Sequence, residues 1–370
     1  MNQPHAQTPP GAVHQPHVEA PPGAVHRPDV EAPPGAVHRP DVMGSPDAVE
    51  RSAAVGPPDV VDRPLDPGSP DDFRRERTLD VLIPTRNRAA ELAVTLSGLA
   101  AQEGAPGFGV AVSDQSDGPP AFRHPAVATM ARALRHRGHP VLLTRRLPRR
   151  GLAEHRAYLL DRSTARYVLC LDDDVWLEPG TLHRLVTAIT ELGCGFVGNA
   201  VHGLSYLDDV RPQTHRHYEE WTGPPVPETV RPGTLEWQRA TIHSAANLLH
   251  VTGRLKLPAG AWRAYKVSWI GGCVLYDRAR LVEAGGFDFW RRLPEGHQGE
   301  DVAAQLAVLA RYGGAGILPS GAYHLESPTT VTERDVEAWE LVLADADTHT
   351  RAADVHAGAG AHPGAVRPAS

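Results

Sequence analysis

Three consecutive aspartates, Asp172, Asp173 and Asp174, follow the apolar run RYVLCL at 166–171. Adjacent carboxylates repel one another, and beside an apolar segment they are costly unless something cationic neutralises them. A hard divalent cation, Mg²⁺ or Mn²⁺, is the simplest partner, because such ions take oxygen ligands and are commonly held by one or two carboxylates together with substrate phosphates. Aspartate is also favoured as a helix N-cap, but Trp176, Glu178 and Pro179 intervene before the next helical pattern begins. A second acidic pair, Glu300–Asp301, opens a helical pattern with Val302, Leu306 and Leu309 on one face and Gly313 at its end. Carboxylates there suit proton abstraction, although the helix macrodipole alone also favours acids in a first turn. His324 follows 23 residues after Asp301, just past a short strand-like run at 315–318, and is a titratable ring in a site-like position.

These residues need a scaffold. TLDVLIPT (78–85) and FGVAVSD (108–114) read as short buried strands, the first leading into a helical pattern with Leu92, Leu96 and Leu99 on one face. A helix is expected at 152–163, a strand at 166–171, and a helix through Leu182, Leu185, Val186, Ile189 and Leu192 that Gly193 should stop. Further strands are expected at 195–201 and 268–276, and one amphipathic helix at 234–255. Thr330, Thr332, Glu333 and Asp335 signal the start of a C-terminal helix bearing Val336, Trp339 and Leu343. Strands alternating with helices predict an α/β fold, a mainly parallel sheet flanked by helices, with ligands at the carboxyl ends of the strands.

Four segments then come into focus in order: LDVLIPTRNR (79–88), VSDQSD (112–117), YVLCLDDDVWLEP (167–179), and WIGGCVLYDRARLVEAGGFD followed by GEDVAAQLAVLARYG (269–313). Together they resemble a family-2 glycosyltransferase of the Rossmann-like GT-A fold, over roughly 78–328. The resemblance implies an inverting transferase that binds a nucleotide-diphosphate sugar with a divalent metal, Mn²⁺ or Mg²⁺. It implies that Pro84, Thr85, Arg86 and Asn87 line the nucleotide pocket. Asp114 matches the carboxylate that hydrogen-bonds the base, with Ser113 standing where a first aspartate is usual. Asp172 and Asp174 match the DxD motif, the first near ribose or metal and the last on the metal, with Asp173 on the nucleotide side and His324 completing the metal shell. Asp301 matches the catalytic base and Glu300 would orient the acceptor. Arg149, Arg150, His155 and Arg156 fall where nucleotide or diphosphate contacts are placed. Gly271 and Gly272 let backbone approach a sugar closely, and Trp269 is a candidate platform for a sugar ring.

Of the 370 residues, the 21 aromatic ones all lie at or after Phe73, so the opening stretch lacks what an ordinary core needs. It repeats a 12-residue unit, PPGAVHQPHVEA from Pro9, PPGAVHRPDVEA from Pro21 and PPGAVHRPDV from Pro33, and is expected to be an extended, disordered tail over 1–75. A similar tail is expected at 348–370, leaving 76–347 for the transferase domain, with 202–266 as an acceptor-side insertion. The net charge of −7 belongs to the first 72 residues, and the rest is formally neutral, which argues against a nucleic-acid partner. No membrane span or secretory leader is legible, and three scattered cysteines, Cys170, Cys194 and Cys273, suit buried thiols of a cytoplasmic protein. Partners are then the sugar donor and a saccharide, lipid-linked or small-molecule acceptor. A sugar-nucleotide nucleotidyltransferase would want a Gly-rich phosphate loop, and PTRNRAAE has no glycine. A non-catalytic sugar-binding or scaffolding protein would be expected to have lost some of its acids, and here all are present.

Overall fold

A computed structural model describes residues 65–330, 336–341 and 343–344. Residues 1–64 of the tail expected at 1–75, the whole tail expected at 348–370, and the helix-start residues 331–335 lie outside the described residues. In chain order the elements are α1 (Pro70–Phe73), β1 (Leu79–Thr85), α2 (Ala89–Ala100), β2 (Phe108–Asp114), α3 (Pro125–His136), β3 (Val141–Arg145), α4 (Leu152–Leu160), β4 (Tyr167–Leu171), β5 (Val175–Leu177), α5 (Thr181–Leu192), β6 (Phe196–Gly198) and β7 (Val201–His202). They continue with α6 (Pro212–His215), α7 (Leu235–Gln238), α8 (Asn247–Leu255), β8 (Arg263–Tyr265), β9 (Cys273–Asp277), α9 (Arg278–Glu283), α10 (Glu300–Tyr312), β10 (Gly314–Leu318) and β11 (Ala322–His324).

Eight strands form one sheet in the order β3-β2-β1-β4-β9-β6-β10-β8, and β5-β11-β7 form a small second sheet. Pairing is parallel from β3 through β4 and between β6 and β10, while β9 runs antiparallel to both its neighbours. Every residue of β1, β2 and β4 is buried, because helices cover both faces. On one side Leu79, Val81 and Ile83 meet Leu92, Leu96 and Leu99 of α2 and Leu182 and Leu185 of α5. On the other, Leu82, Val168 and Cys170 meet Leu159 and Leu160 of α4 and Val302, Leu306 and Leu309 of α10. Each such leucine contributes about 1.5–3 kcal/mol by leaving water. The alternation along β1 is therefore between two apolar layers, the pattern of a sheet buried on both sides.

Packing begins before the expected boundary at 76. Phe73 is buried in the second core layer, the Pro67 carbonyl accepts from the Leu143 amide at 2.8 Å, and Arg77 joins the Phe73 carbonyl to the buried Asp80. The single helix expected at 234–255 is instead three pieces: α7, a 3₁₀ turn at Arg239–His243, and α8. The break falls at Ala245, whose φ of 55° no continuous α-helix accepts. The strand expected at 195–201 splits into β6 and β7. Strand β3 and helix α3 emerge from stretches whose many Arg and His residues obscure the apolar pattern.

Candidate functional site

Topology brings the singled-out residues to one end of the sheet. β1 and β4 lie side by side and parallel, so the loops that follow them, 86–88 and 172–174, leave at the same edge, and β2 ends beside β1 with Thr85 opposite Asp114. The antiparallel β9 starts there too, with Cys273 opposite Leu171. This puts the Gly271–Gly272 turn against the aspartates, and the Asp172 amide donates to the Gly272 carbonyl at 2.9 Å. Gly272 holds a φ of 79°, and a Cβ on it would lie 3.0 Å from Val201 Cγ2 and 3.4 Å from Asp172 Oδ2. A Cβ on Gly271 would lie 3.8 Å from Asp301 Oδ2, so α10 delivers its first turn to the same place.

Two arginines organise the carboxylates. Arg156, on α4 and 5% exposed, donates from Nη2 to Asp172 Oδ1 at 2.7 Å and from Nε to Glu300 Oε1 at 2.9 Å. Burial works against its charge, yet Asp172 and Glu300 raise its pKa well above the ordinary value. Arg88, at the start of α2, donates from Nη1 to Asp173 Oδ1 at 3.1 Å and to Asp174 Oδ2 at 2.5 Å, and from Nη2 to the Pro328 carbonyl. Asp173 is held by Thr85 Oγ1 at 2.7 Å, and its carbonyl accepts from Thr95 Oγ1 at 2.8 Å. Burial pushes the Asp173 carboxyl up to about 7 against the opposing Thr85 bond, and the negative Asp174 adds to the rise. Burial and then Asp172 raise Asp174, while His324 and Arg88 pull it back. Asp301 is pushed up to about 7, by burial first and the adjacent Glu300 second. Its Oδ1 accepts the Val302 amide at 2.8 Å, leaving Oδ2 toward Gly271.

His324 Nε2 lies 3.4 Å from Asp174 Oδ2. Two carboxylates and an imidazole form a donor set that fits Mn²⁺ or Mg²⁺, which need few protein ligands when a diphosphate supplies the rest. Among the described residues no three such groups already stand in metal-holding geometry. The oxygen nearest His324 carries the Arg88 guanidinium, and Asp172 Oδ1 carries Arg156. Asp174 and His324 thus stand as a pair with Asp172 beside them, and each of the two carboxylates already holds an arginine.

The nucleotide-side expectations divide. Asn87, with a φ of 56°, donates its amide to Ser116 Oγ at 2.9 Å and its Nδ2 to Asp117 Oδ2 at 2.8 Å, tying the loop after β1 to the loop after β2. Arg86 reaches Asp117 at 3.0 Å and the Thr330 carbonyl at 3.3 Å. Pro84 sits within β1 opposite Ser113. Asp114 is fully buried, with Oδ1 accepting the Ser116 amide and Oδ2 the Ala121 amide, both at 2.6 Å. Both of its oxygens are therefore engaged in building the loop. Arg150 is exposed, its guanidinium over the Trp290 ring, and Arg149 pairs with Glu295 at 2.8 Å. The structure brings neither to the aspartates. Trp269 packs edge-on to Trp237 with ring centroids 4.7 Å apart.

Sequence reasoning did not single out Arg88, Asp117 or Gln305. Gln305, fully buried on α10, clamps Ile270 through both its amide and its carbonyl, at 2.8 and 2.7 Å, and so sets the turn at Gly271. Arg88 lies inside the quoted run LDVLIPTRNR, and its position four residues before Leu92 on the α2 pattern was the available signal. Gln305 had none, since a lone glutamine on an apolar helix face looks like any other polar residue.

Residues 80–251 match the family model described as Glycosyl transferase family 2. Over that stretch the chain is similar to family-2 glycosyltransferases, and the stretch includes the loops after β1, β2 and β4 where the acids stand. No curated protein matches it significantly. Among solved structures, S. aureus TarS 1–349 in complex with UDP-GlcNAc is similar at 17% identity and a TM-score of 0.43, over 69% of this chain and 60% of that one. The mannosyltransferase PcManGT from Pyrobaculum calidifontis in complex with GDP-Man and Mn²⁺ is similar at 16% identity and a TM-score of 0.44, over 80% of this chain and 68% of that one. The chain thus spans about 60% of the length of the TarS 1–349 chain it matches.

Proposed function

We propose that this protein transfers a sugar, with inversion, from a nucleotide-diphosphate donor to an acceptor hydroxyl, with Asp301 as the base. The observation that carries this reading is Arg156, which joins Asp172 at the end of β4 to Glu300 beside Asp301. Donor-side and acceptor-side acids are thereby locked into one constellation. A divalent ion held by Asp174 and His324, with Asp172 adjoining, supplies Lewis-acid neutralisation of the departing diphosphate when bound.

The chain's own residues do the rest. Asp301 Oδ2, the oxygen not committed to the helix amide, takes the proton as the acceptor oxygen bonds to the sugar's anomeric carbon and the bond to the diphosphate breaks. A carboxyl with a pKa of about 7 is well matched to that task at neutral pH. Glu300, held by Arg156, orients the acceptor. Thr85, Asn87 and Asp173 form the nucleotide side, and Gly271 and Gly272 keep space open for the transferred sugar. Residues 76–347 are the transferase domain in this reading, and 202–266 lie on the acceptor side. Three buried free thiols suit a reducing, cytoplasmic setting. Among the described residues, no helix is long and apolar enough to cross a membrane.

Calorimetric titration with UDP, GDP and dTDP, each with Mn²⁺ and with chelator, tests this on the wild type and on Asp174→Ala. One nucleotide is expected to bind with Mn²⁺, and to lose that metal dependence in the variant. Absence of binding by all three in the presence of Mn²⁺ would overturn the reading.

A further inference from the structure

Three tryptophans from distant parts of the chain meet beside the catalytic pair. Trp237, in α7, stands 4.7 Å from Trp269 and 5.0 Å from Trp339 between ring centroids, at 60° and 61°. None of the three is fully buried. Each is anchored through its backbone or an adjoining side chain. Ser268 Oγ donates to the Trp237 carbonyl at 3.1 Å, and Gln305 grips Ile270 next to Trp269. The Gln298 amide donates to the Val336 carbonyl and the Ala338 amide to the Gln298 carbonyl, at 3.0 and 2.9 Å, seating the segment that bears Trp339.

Two of the three indoles stand on or against the segments that border Asp301. Trp269 is two residues before Gly271, the glycine nearest Asp301 Oδ2. On the other side, a Cβ on Gly299, two residues before Asp301, would touch Trp339 Cδ1 at 3.0 Å. We infer that Trp237, Trp269 and Trp339 form the wall on which the acceptor lies, and that the acceptor is an uncharged, hydroxyl-bearing ring such as a pyranose. This rests on the transferase reading above.

Three observations select that chemistry. Indole faces take up the C–H face of a sugar ring and offer a rigid surface. Trp339 donates its indole N–H to Glu337 Oε2 at 2.9 Å, whereas among the described residues neither Trp237 nor Trp269 has a protein acceptor for its own, so two donors stand free for ring hydroxyls. The charged groups nearest Asp301 and Trp339, which are Glu300, Asp172 and Glu337, are acidic, Arg156 is already engaged by two of them, and the cations beside Trp237, Arg239 and Lys266, are paired with Glu219 and Glu228. A phosphate or carboxylate on the acceptor would meet repulsion there.

Saturation-transfer NMR with the methyl glycosides of glucose, galactose, mannose and N-acetylglucosamine, and with methyl glucuronide as the anionic control, tests the inference on the full chain. Trp237→Ala, Trp339→Ala and Trp339→Phe are compared with the wild type, and nucleotide binding is followed separately by calorimetry. At least one neutral glycoside is expected to bind, fivefold or more weakly in the alanine variants and close to normally in Trp339→Phe, which keeps a ring. The glucuronide is expected not to bind. A glycoside that binds the alanine variants as well as the wild type, preference for the glucuronide, or no glycoside binding to protein that still binds nucleotide would each overturn the wall. Tryptophan-dependent glycoside binding without any nucleotide binding would support the wall and overturn the transferase reading, and binding of neither would overturn both.

Discussion

Under the proposed mechanism the acid limb of the rate profile should belong to Asp301. Its carboxyl faces Glu300 on α10, Arg156 on α4, Asp172 at the end of β4, and the buried Cys170 and Tyr276 of β4 and β9. Burial lifts its pKa, Glu300 and Asp172 lift it further, and Arg156 and the Val302 amide pull it down, to about 7 in balance. A base works only when deprotonated, so kcat/KM should rise about tenfold per pH unit below 7 and level off above it, with roughly one-tenth of the plateau left at pH 6. Glu300→Gln removes the neighbouring negative charge and frees Arg156 to act more on Asp301. Both effects lower the pKa, and each unit of lowering corresponds to about 1.36 kcal/mol. The limb should therefore move toward lower pH in that variant, while Asp301→Asn should lose about 10²–10⁴-fold in rate across the range. Donor hydrolysis, in which water takes the acceptor's place at the anomeric carbon and the nucleotide is released, followed from pH 5 to 9, reads this out without knowledge of the acceptor. The stability sign runs the other way. A carboxyl whose folded pKa is raised favours folding while protonated, and that contribution is lost as pH rises from about 4 through 7. Asp301→Asn should thus melt higher than the wild type above pH 7. A limb near pH 4, or one that moves upward in Glu300→Gln, would refute the assignment.

Two further outcomes test the arginine and loop contacts. Arg88 occupies the Asp174 oxygen that faces His324, so Arg88→Ala should bind Mn²⁺ several-fold more tightly than the wild type and gain more in melting temperature on its addition; weaker binding, by Mn²⁺ electron paramagnetic resonance, would mean that Arg88 supports the ion instead of competing with it. Asp114 accepts two backbone amides, each such charge-assisted bond contributing about 1.5–3 kcal/mol, so Asp114→Ala should lower stability by about 3–6 kcal/mol in urea unfolding with no nucleotide present, whereas unchanged stability with lost nucleotide binding would make it a base contact.

The short apolar strands and the leucine-spaced helices were legible because burial on both faces leaves an unbroken apolar run, as in LDVLIPT, and burial on one leaves a 3.6-residue period, as in Leu92, Leu96 and Leu99. Gly193 was legible as a stop because its φ of 59° suits glycine, and the structure uses it so. Strand β3 was not, since only its first three residues are buried and arginines follow. The α7–α8 break was not, because its apolar spacing continues through Ala245 while the backbone turns to a positive φ there.

The site divides in the same way. Residue types and their order along the chain determined that acids would gather at the carboxyl edge of a sheet, since β4 runs straight into Asp172–Asp174 and α10 opens on Glu300–Asp301. What only the tertiary structure decided is which cation each acid faces and which side chains tie the site's loops together. Arg156 reaches Glu300 across 144 residues of chain, Thr85 reaches Asp173 across 88, and Trp237 meets Trp339 through elements with no local relation. Local spacing governs periodicity and turn chemistry, whereas these partnerships depend on where the sheet order sets each strand end, a property no single segment carries.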